Sequence, residues 1–320
     1  MWAWIARRLL ISIPVFLGIT MLTFVFVHVA PGDPAEMMAN PEYEAGGAEA
    51  YLAQVRAELG LDKPLPVQYL AWVAQVARGN LGYSFFDHRP VGDILKERVW
   101  PTAKLMGTAL LLAIAFGVPI GTIAALRQYS AVDYASTALS LTAISTPSFF
   151  LGLAAIYVFS LRLNLLPTTG MATVGQPPSI VDALRHLVLP AAILGLSLTG
   201  PFVRYARNSM LDVIHQDYVT AARAKGLAER VLVVRHALPN ALIPLITIVA
   251  LQVPALFAGA VVVEQIFTWP GMGQLALAAI TQRDYPVLMG FTMTIAVLVL
   301  VCNALADVAY ALVDPRIRLR

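Results

Sequence analysis

The stretch that decides the fold is residues 105–126, LMGTALLLAIAFGVPIGTIAAL, which has no charged side chain between Lys104 and Arg127. An α-helix needs about 20 apolar residues to cross the hydrocarbon core of a bilayer, which is ~30 Å thick. A surface helix of a soluble protein needs a polar face toward water, and this stretch offers none. Residues 105–126 are therefore predicted to form a transmembrane helix.

The same test, applied outward along the chain, finds further uncharged stretches of membrane-spanning length. One other uncharged stretch, 163–181, is rich in Pro, Thr and Gly, and this composition predicts a loop. The sequence therefore predicts an all-α integral membrane protein with six transmembrane helices. Besides 105–126, the predicted spans are 9–32, 134–161, 187–203, 237–263 and 285–306.

The composition agrees with a membrane protein and excludes several other classes. Charged side chains make up 13% of the 320 residues and apolar ones 58%, whereas a soluble domain is about 25% charged. This excludes an ordinary soluble enzyme and a disordered chain. The net charge of +3 is too small to indicate a nucleic-acid partner. The single cysteine, Cys302, excludes a disulfide framework.

The distribution of basic residues predicts the orientation. With the N-terminus inside, the cytoplasmic segments hold twelve Lys and Arg against five acids, whereas the loop 31–100 holds six bases and ten acids. The positive-inside rule then predicts both termini in the cytoplasm. The first apolar run is too long for a signal peptide and is expected to remain as a helix. We expect three parts: a first helix with its cytoplasmic N-terminus at 1–30, an extracytoplasmic helical loop at 31–100, and a five-helix core at 101–320.

The extracytoplasmic loop is long enough to form a small structure of its own. Its apolar spacing predicts helices at 48–59 and 66–77, and a short third helix at 91–99 before the second span. One interpretation is a cap that packs on the membrane helices. The other is a docking surface for an extracytoplasmic partner, and the sequence leaves both open.

The inner loop, 204–239, holds six of the twelve inside bases. Residues 211–224 predict a helix that Gly226 ends, and a second short helix is predicted at 229–236. The small side chains before Gly226 would let another backbone approach closely. The alternative is a basic hairpin that anchors on anionic lipid, which accounts for the charge but not for the alanines.

The inner loop resembles the EAA loop of permease subunits in bacterial ABC importers. The family pattern is Glu-Ala-Ala, three residues, Gly, nine residues, Ile, one residue and Leu-Pro. Thr220 stands in place of the Glu and His236 in place of the Ile. The matching positions are Ala221, Ala222, Gly226, Leu238 and Pro239.

The loop also resembles the Tyr-Val-x-x-Ala-x-Ala-Lys-Gly form of the dipeptide/oligopeptide/nickel branch, through Tyr218 and Lys225. Similarity to this branch extends over nearly the whole chain, and the outer loop is similar to that of the first, B-type permease of dipeptide systems. The further similar segments are 31–34, 59–64, 79–84, 146–149, 264–273 and 314–318.

The resemblance implies a type I ABC importer in the bacterial inner membrane. The implied partners are a second homologous permease, two ATPase subunits that bind ATP and Mg²⁺, and an extracytoplasmic substrate-binding protein. The implied cargo is di- or oligopeptides, with nickel complexes or glutathione as alternatives. The residues implied to contact the ATPase are Tyr218, Ala221, Ala222, Arg223, Lys225, Gly226, Leu238 and Pro239.

The chain itself shows no catalytic pattern, because the P-loop, HExxH and GxSxG motifs are absent from it. We therefore expect it to be a transport subunit and not an enzyme. An ion-coupled secondary carrier is the alternative class, although such a carrier is expected to bury a carboxylate deep in the membrane.

Few polar residues lie in the predicted spans. Gln252, Glu264 and Asn303 are the candidates to line a translocation path, since polar groups in a membrane are functional candidates. The alternative is that they pair helices, or, for Glu264 and Asp307, that they lie at the interface. Gly117 and Gly121 form a Gly-x-x-x-Gly pair that permits close helix packing.

Overall fold

A computed structural model describes residues 2–29, 52–54, 56–57 and 62–313. The side chains of 2–9, 247, 250–259 and 306–313 are outside that description. All the regular elements within these ranges are helical. The predicted all-α fold is confirmed.

The helices follow one another along the chain with short connections. Two segments, Ile156–Arg162 and Leu232–Ala237, are wound as wider π-helical turns. The α-helices are α1 (Trp2–Val29), α2 (Leu65–Ala77), α3 (Val91–Leu126), α4 (Ala131–Ser145), α5 (Ser148–Ala155), α6 (Ile180–Ile214), α7 (Asp217–Ala224), α8 (Glu229–Val231), α9 (Leu238–Ala241), α10 (Ile243–Ile266), α11 (Met272–Gln282) and α12 (Tyr285–Val313).

Among the described residues, 4 helices are long and apolar enough to cross a membrane: Leu10–Val29, α3, α6 and Tyr285–Leu305. A fifth candidate is α4 together with the segment Ser148–Arg162. The multi-pass membrane character is therefore confirmed. The predicted span 237–263 falls largely on α10, most of whose central side chains lie outside the described set. The count of six spans and the orientation stay predictions.

The third predicted span, 134–161, is not one straight helix. The chain bends by 97° between Ser145 and Ser148. Thr146 is extended, with φ −86° and ψ 123°, because the residue before a proline is pushed out of the α region. Pro147 then begins the next helix. The prediction of an unbroken span was wrong, since absence of charge says nothing about helix continuity.

Two further helix predictions also need correction. The short helix predicted at 91–99 is not separate but forms the first turns of the 36-residue helix α3. The helix predicted at 211–224 is divided, because α6 ends at Ile214 and Gln216 is extended with ψ 149°. The helix predicted at 66–77 is confirmed as α2, and the loop at 163–181 is irregular up to Ser179. The helix predicted at 48–59 lies mostly outside the described residues.

The second inner helix, predicted at 229–236, is only partly α-helical. Its first turn, α8, has 3 residues and passes directly into the π-helical turn Leu232–Ala237. The wider winding then leads into α9, which carries Pro239 near its start.

The chain divides into two compact units, one formed by 1–99 and 275–300 and the other by 100–274 and 301–320. The core of the first unit contains Phe24 and Val27 from α1 with Tyr285 and Met289 from α12. In that unit a side chain at Gly290 would overlap Val91, its Cβ lying 2.6 Å from Val91 Cγ1.

In the second unit α6 is the central helix and packs against α4, α5 and α10. Its contact with α3 depends on the glycine pair noted in the sequence. A Cβ at Gly117 would lie 2.6 Å from Phe202 Cβ, and one at Gly121 would lie 2.8 Å from Ala206 Cβ. The two backbones are thus as close as glycine allows.

Candidate functional site

The helix α7 carries most of the residues predicted to contact an ATPase. Val219 is completely buried and holds α7 against the protein. Tyr218, Ala221, Arg223 and Lys225 are exposed, while Ala222 is half-buried. Since small residues cover its outer surface, α7 offers a low, accessible ridge to a partner.

Gly226 makes the turn that follows α7. Its φ of +80° lies in the left-handed region, which glycine adopts without steric cost. No atom lies within 4 Å of a Cβ built there, so the glycine is required by backbone conformation and not by lack of space. Across the turn the Arg223 guanidinium donates to Glu229 Oε1 at 2.7 Å. This exposed pair orients the turn but contributes little to stability.

The second arm of the loop is anchored to the ends of α3 and α6. Val233, Ala237 and Ala241 are buried together with Ala125 of α3 and Met210 of α6. Two predicted contact residues lie on this arm, and of them Leu238 is half-buried while Pro239 is exposed. A force on the loop would therefore be passed to both helices through close packing.

An ion pair close to this core joins α4 to α6. Arg207 donates from Nε to Asp133 Oδ1 at 2.6 Å and from Nη2 to Asp133 Oδ2 at 2.8 Å. Asp133 is buried and also accepts from the Tyr129 backbone N–H at 3.0 Å. The two partners are 74 residues apart, so the sequence showed them only as two cytoplasmic charges.

The three candidates for a translocation path have different surroundings. Glu264 is 0% exposed, and its Oε2 accepts from the Gln274 backbone N–H at 3.0 Å. That geometry favours the structural alternative for Glu264. Asn303 is half-buried in α12. The side chains of Gln252 and Asp307 lie outside the described set, so the path role of Gln252 and Asn303 stays a prediction.

One polar site in the first unit was missed by the sequence reasoning. Asp284 is buried and accepts from the Ser84 hydroxyl and from the Phe85 backbone N–H. Ser84 in turn accepts from the Asp87 backbone N–H at 2.9 Å. These bonds hold the loop 82–90, whose tip exposes Tyr83 and Phe86. The partners are 200 residues apart, so no local signal could have found them.

Comparison with known proteins gives consistent matches over the whole length. A family model described as "Binding-protein-dependent transport system inner membrane component" matches residues 117–319, and its N-terminal companion matches 1–106. The chain is 44% identical to a putative peptide permease of Brucella suis biovar 1 (strain 1330), over 98% of both chains. It is 43% identical to the oligopeptide transport system permease AppB of Bacillus subtilis (strain 168), over 98% of this chain and 99% of that one. It is 40% identical to the dipeptide transport system permease DppB of Escherichia coli (strain K12), over 98% of both chains.

The fold is similar to that of a solved transporter. An inward-facing structure of the MetNI methionine ABC transporter matches with a TM-score of 0.56, covering 69% of this chain and 96% of that chain. At 17% sequence identity, this match concerns the fold alone.

Proposed function

The chain belongs to the family of binding-protein-dependent transport system inner membrane components, and from this we propose that it imports di- and oligopeptides as a permease subunit of an ATP-driven importer. The observation that carries the cargo assignment is the identity of 40% to 44% with peptide permeases over 98% of the chain. Glutathione and nickel complexes are the alternative cargoes.

The proposed assembly has five kinds of contact: with a second permease, with two ATPase subunits, with an extracytoplasmic binding protein, and with lipid. ATP and Mg²⁺ would be bound by the ATPase subunits, so the assembled complex is an ATP-dependent translocase while this chain transmits motion. The exposed alanine surface of α7 supports the ATPase contact, because small side chains let a helix enter a groove on a partner. Alternating access then follows from movement of the loop with the ATPase dimer.

An uptake experiment tests this function. The permease is co-expressed with its neighbouring transporter subunits and reconstituted in liposomes with the binding protein outside and ATP inside. We expect uptake of a labelled dipeptide that requires both ATP and the binding protein. Unlabelled tripeptide, glutathione and a nickel complex serve as competitors to rank the cargoes. Uptake by this chain alone, driven by an ion gradient, would show a secondary carrier instead.

The loop 82–90 is the proposed contact with the binding protein. Tyr83 is 62% exposed and Phe86 63% exposed, although the buried bonds from Asp284 hold the loop in place. Aromatic side chains on a fixed loop form strong interface contacts, because little conformational freedom is lost on binding. The predicted orientation also puts this loop on the outer side, where the binding protein acts.

Replacing both aromatic residues, Tyr83→Ala with Phe86→Ala, is expected to weaken binding of the binding protein about 30-fold, as for loss of interface hot spots. The measurement is titration of the labelled binding protein onto the complex in nanodiscs. Tyr134→Ala removes an equally exposed aromatic, at 64%, from the predicted inner side and should leave the affinity unchanged. Wild-type affinity in the double variant would place the contact elsewhere.

A further inference from the structure

A buried carboxylate ties the turn between α10 and α11 to α3. Thr102 of α3 donates from its hydroxyl to Glu264 Oε1 at 2.7 Å, and the same hydroxyl accepts from the Met272 backbone N–H at 2.7 Å. Beside it, Trp269 Nε1 donates to the Pro101 carbonyl at 3.0 Å. Three elements, α10, the turn and the start of α11, are thereby attached to one point on α3.

The turn is shaped around this carboxylate. A Cβ at Gly271 would overlap Glu264 itself, and a Cβ at Gly273 would lie 2.9 Å from Glu264 Oε2 and 2.7 Å from Val261 Cα. A buried charge is strongly unfavourable unless hydrogen bonds compensate for lost hydration. A site that accepts this cost and reserves two glycines for the carboxylate holds the turn in one defined position.

The same turn is also connected to the start of α6. The Gly170 backbone N–H donates to the Phe267 carbonyl at 2.8 Å. His186 of α6 donates from Nδ1 to the Gly170 carbonyl at 3.1 Å. We name this connected set the outer clasp; its residues are Pro101, Thr102, Gly170, His186, Glu264, Phe267, Trp269 and Met272.

The two helices that reach the outer clasp also hold the inner loop at their other ends. Ala125 of α3 and Met210 of α6 lie in the core beneath that loop. Thr102 to Ala125, and likewise His186 to Met210, is a helical distance on the order of 35 Å at 1.5 Å per residue. That length slightly exceeds the ~30 Å hydrocarbon core. Each helix is therefore held at both ends of one membrane crossing.

We propose that Glu264 is a positioning residue of the transport cycle, and that the outer clasp makes the outer end of the second unit follow the inner loop. A displacement of the inner loop moves the inner ends of α3 and α6, and the two helices carry it to the clasp. Coupling between distant sites requires such a continuous set of rigid, packed elements. The inference rests on the proposed function, and it replaces lining of the path as the role of Glu264.

The test uses the complete complex in proteoliposomes with its ATPase subunits and binding protein. The quantity measured is peptide transported per ATP hydrolysed, normalised to assembled complex. We expect Glu264→Gln and Thr102→Val each to lower this ratio about fivefold or more, the size of a typical coupling between sites. Thr102→Ser keeps the hydroxyl and should restore the ratio. Thr281→Val, which removes an exposed hydroxyl of α11 bonded to the Leu277 carbonyl at 2.7 Å, is the matched control.

Each outcome decides between roles. A purely structural role would lower the yield of assembled complex but leave the ratio unchanged, and would overturn the proposal. A path-lining role would change the KM for peptide without changing the ratio, and would also overturn it. If Glu264→Gln prevents assembly, Thr102→Val still decides. Absence of ATP-driven uptake in the wild-type complex would instead contradict the proposed function, independently of the variants.

Discussion

Ala221→Trp is expected to abolish the stimulation of ATP hydrolysis by loaded binding protein, a loss of about tenfold or more for each 1.4 kcal/mol of contact energy removed. Ala221 is exposed on α7, so the indole does not disturb this chain's own packing. It would instead hold the ATPase away from the helix. The measurement is ATP hydrolysis by the purified complex in nanodiscs, with and without peptide-loaded binding protein.

Two companion variants separate contact from fold. Ala131→Trp places the same indole on an exposed alanine at the start of α4, and stimulation should survive. Gly226→Pro should abolish stimulation as fully as Ala221→Trp, because proline holds φ near −65° and the native φ is +80°. Normal stimulation in both Ala221→Trp and Gly226→Pro would remove the ATPase contact from α7 and its turn.

Gly121→Leu is expected to prevent folding of the second unit, since it affects the closest approach of α3 and α6. A Cβ at Gly121 would lie 2.8 Å from Ala206 Cβ and 3.0 Å from the Arg207 backbone nitrogen. Two backbones cannot separate there without breaking the packing around Phe202. Severe core variants cost more than about 4 kcal/mol, so little assembled complex should remain. Fluorescence-detected size exclusion after graded heating measures this loss.

The control lies in the same helix. Gly107 is exposed and has no atom within 4 Å of a Cβ built on it. Gly107→Ala should therefore equal or exceed the wild type in heat stability, because alanine favours a helix by about 1 kcal/mol over glycine. A Gly121→Leu complex as stable as Gly107→Ala would show that the helices are not in contact at this point.

The inner loop shows how far local sequence carries a prediction. Its alanines and glycine, at fixed spacing, indicated both the turn and the exposed helix, because each depends on neighbouring residues. The break at His215 and Gln216 was not predicted, since neither residue is a strong helix breaker. The wide turn after Val231 was also missed, because π-helical winding has no reliable local signature.

Glu264 shows where prediction from the sequence stopped. A carboxylate at the edge of an apolar stretch is compatible with a path, an interface or a structural pair. The choice depends on Thr102, which is 162 residues away. Asp133 with Arg207 and Asp284 with Ser84 were missed for the same reason, as a single sequence carries no record of which distant residues meet.

The amino-acid sequence alone determined that this protein is a helical membrane protein, because exclusion of charge from hydrocarbon acts on each stretch separately. It also indicated the family, since the loop motifs are short and contiguous. Only the tertiary structure decided that the third span is bent and that Glu264 belongs to a clasp on α3. It also showed that α3 and α6 join that clasp to the inner loop. These features depend on hydrogen bonds and close contacts between distant segments, whose energies exist only once the helices are packed together.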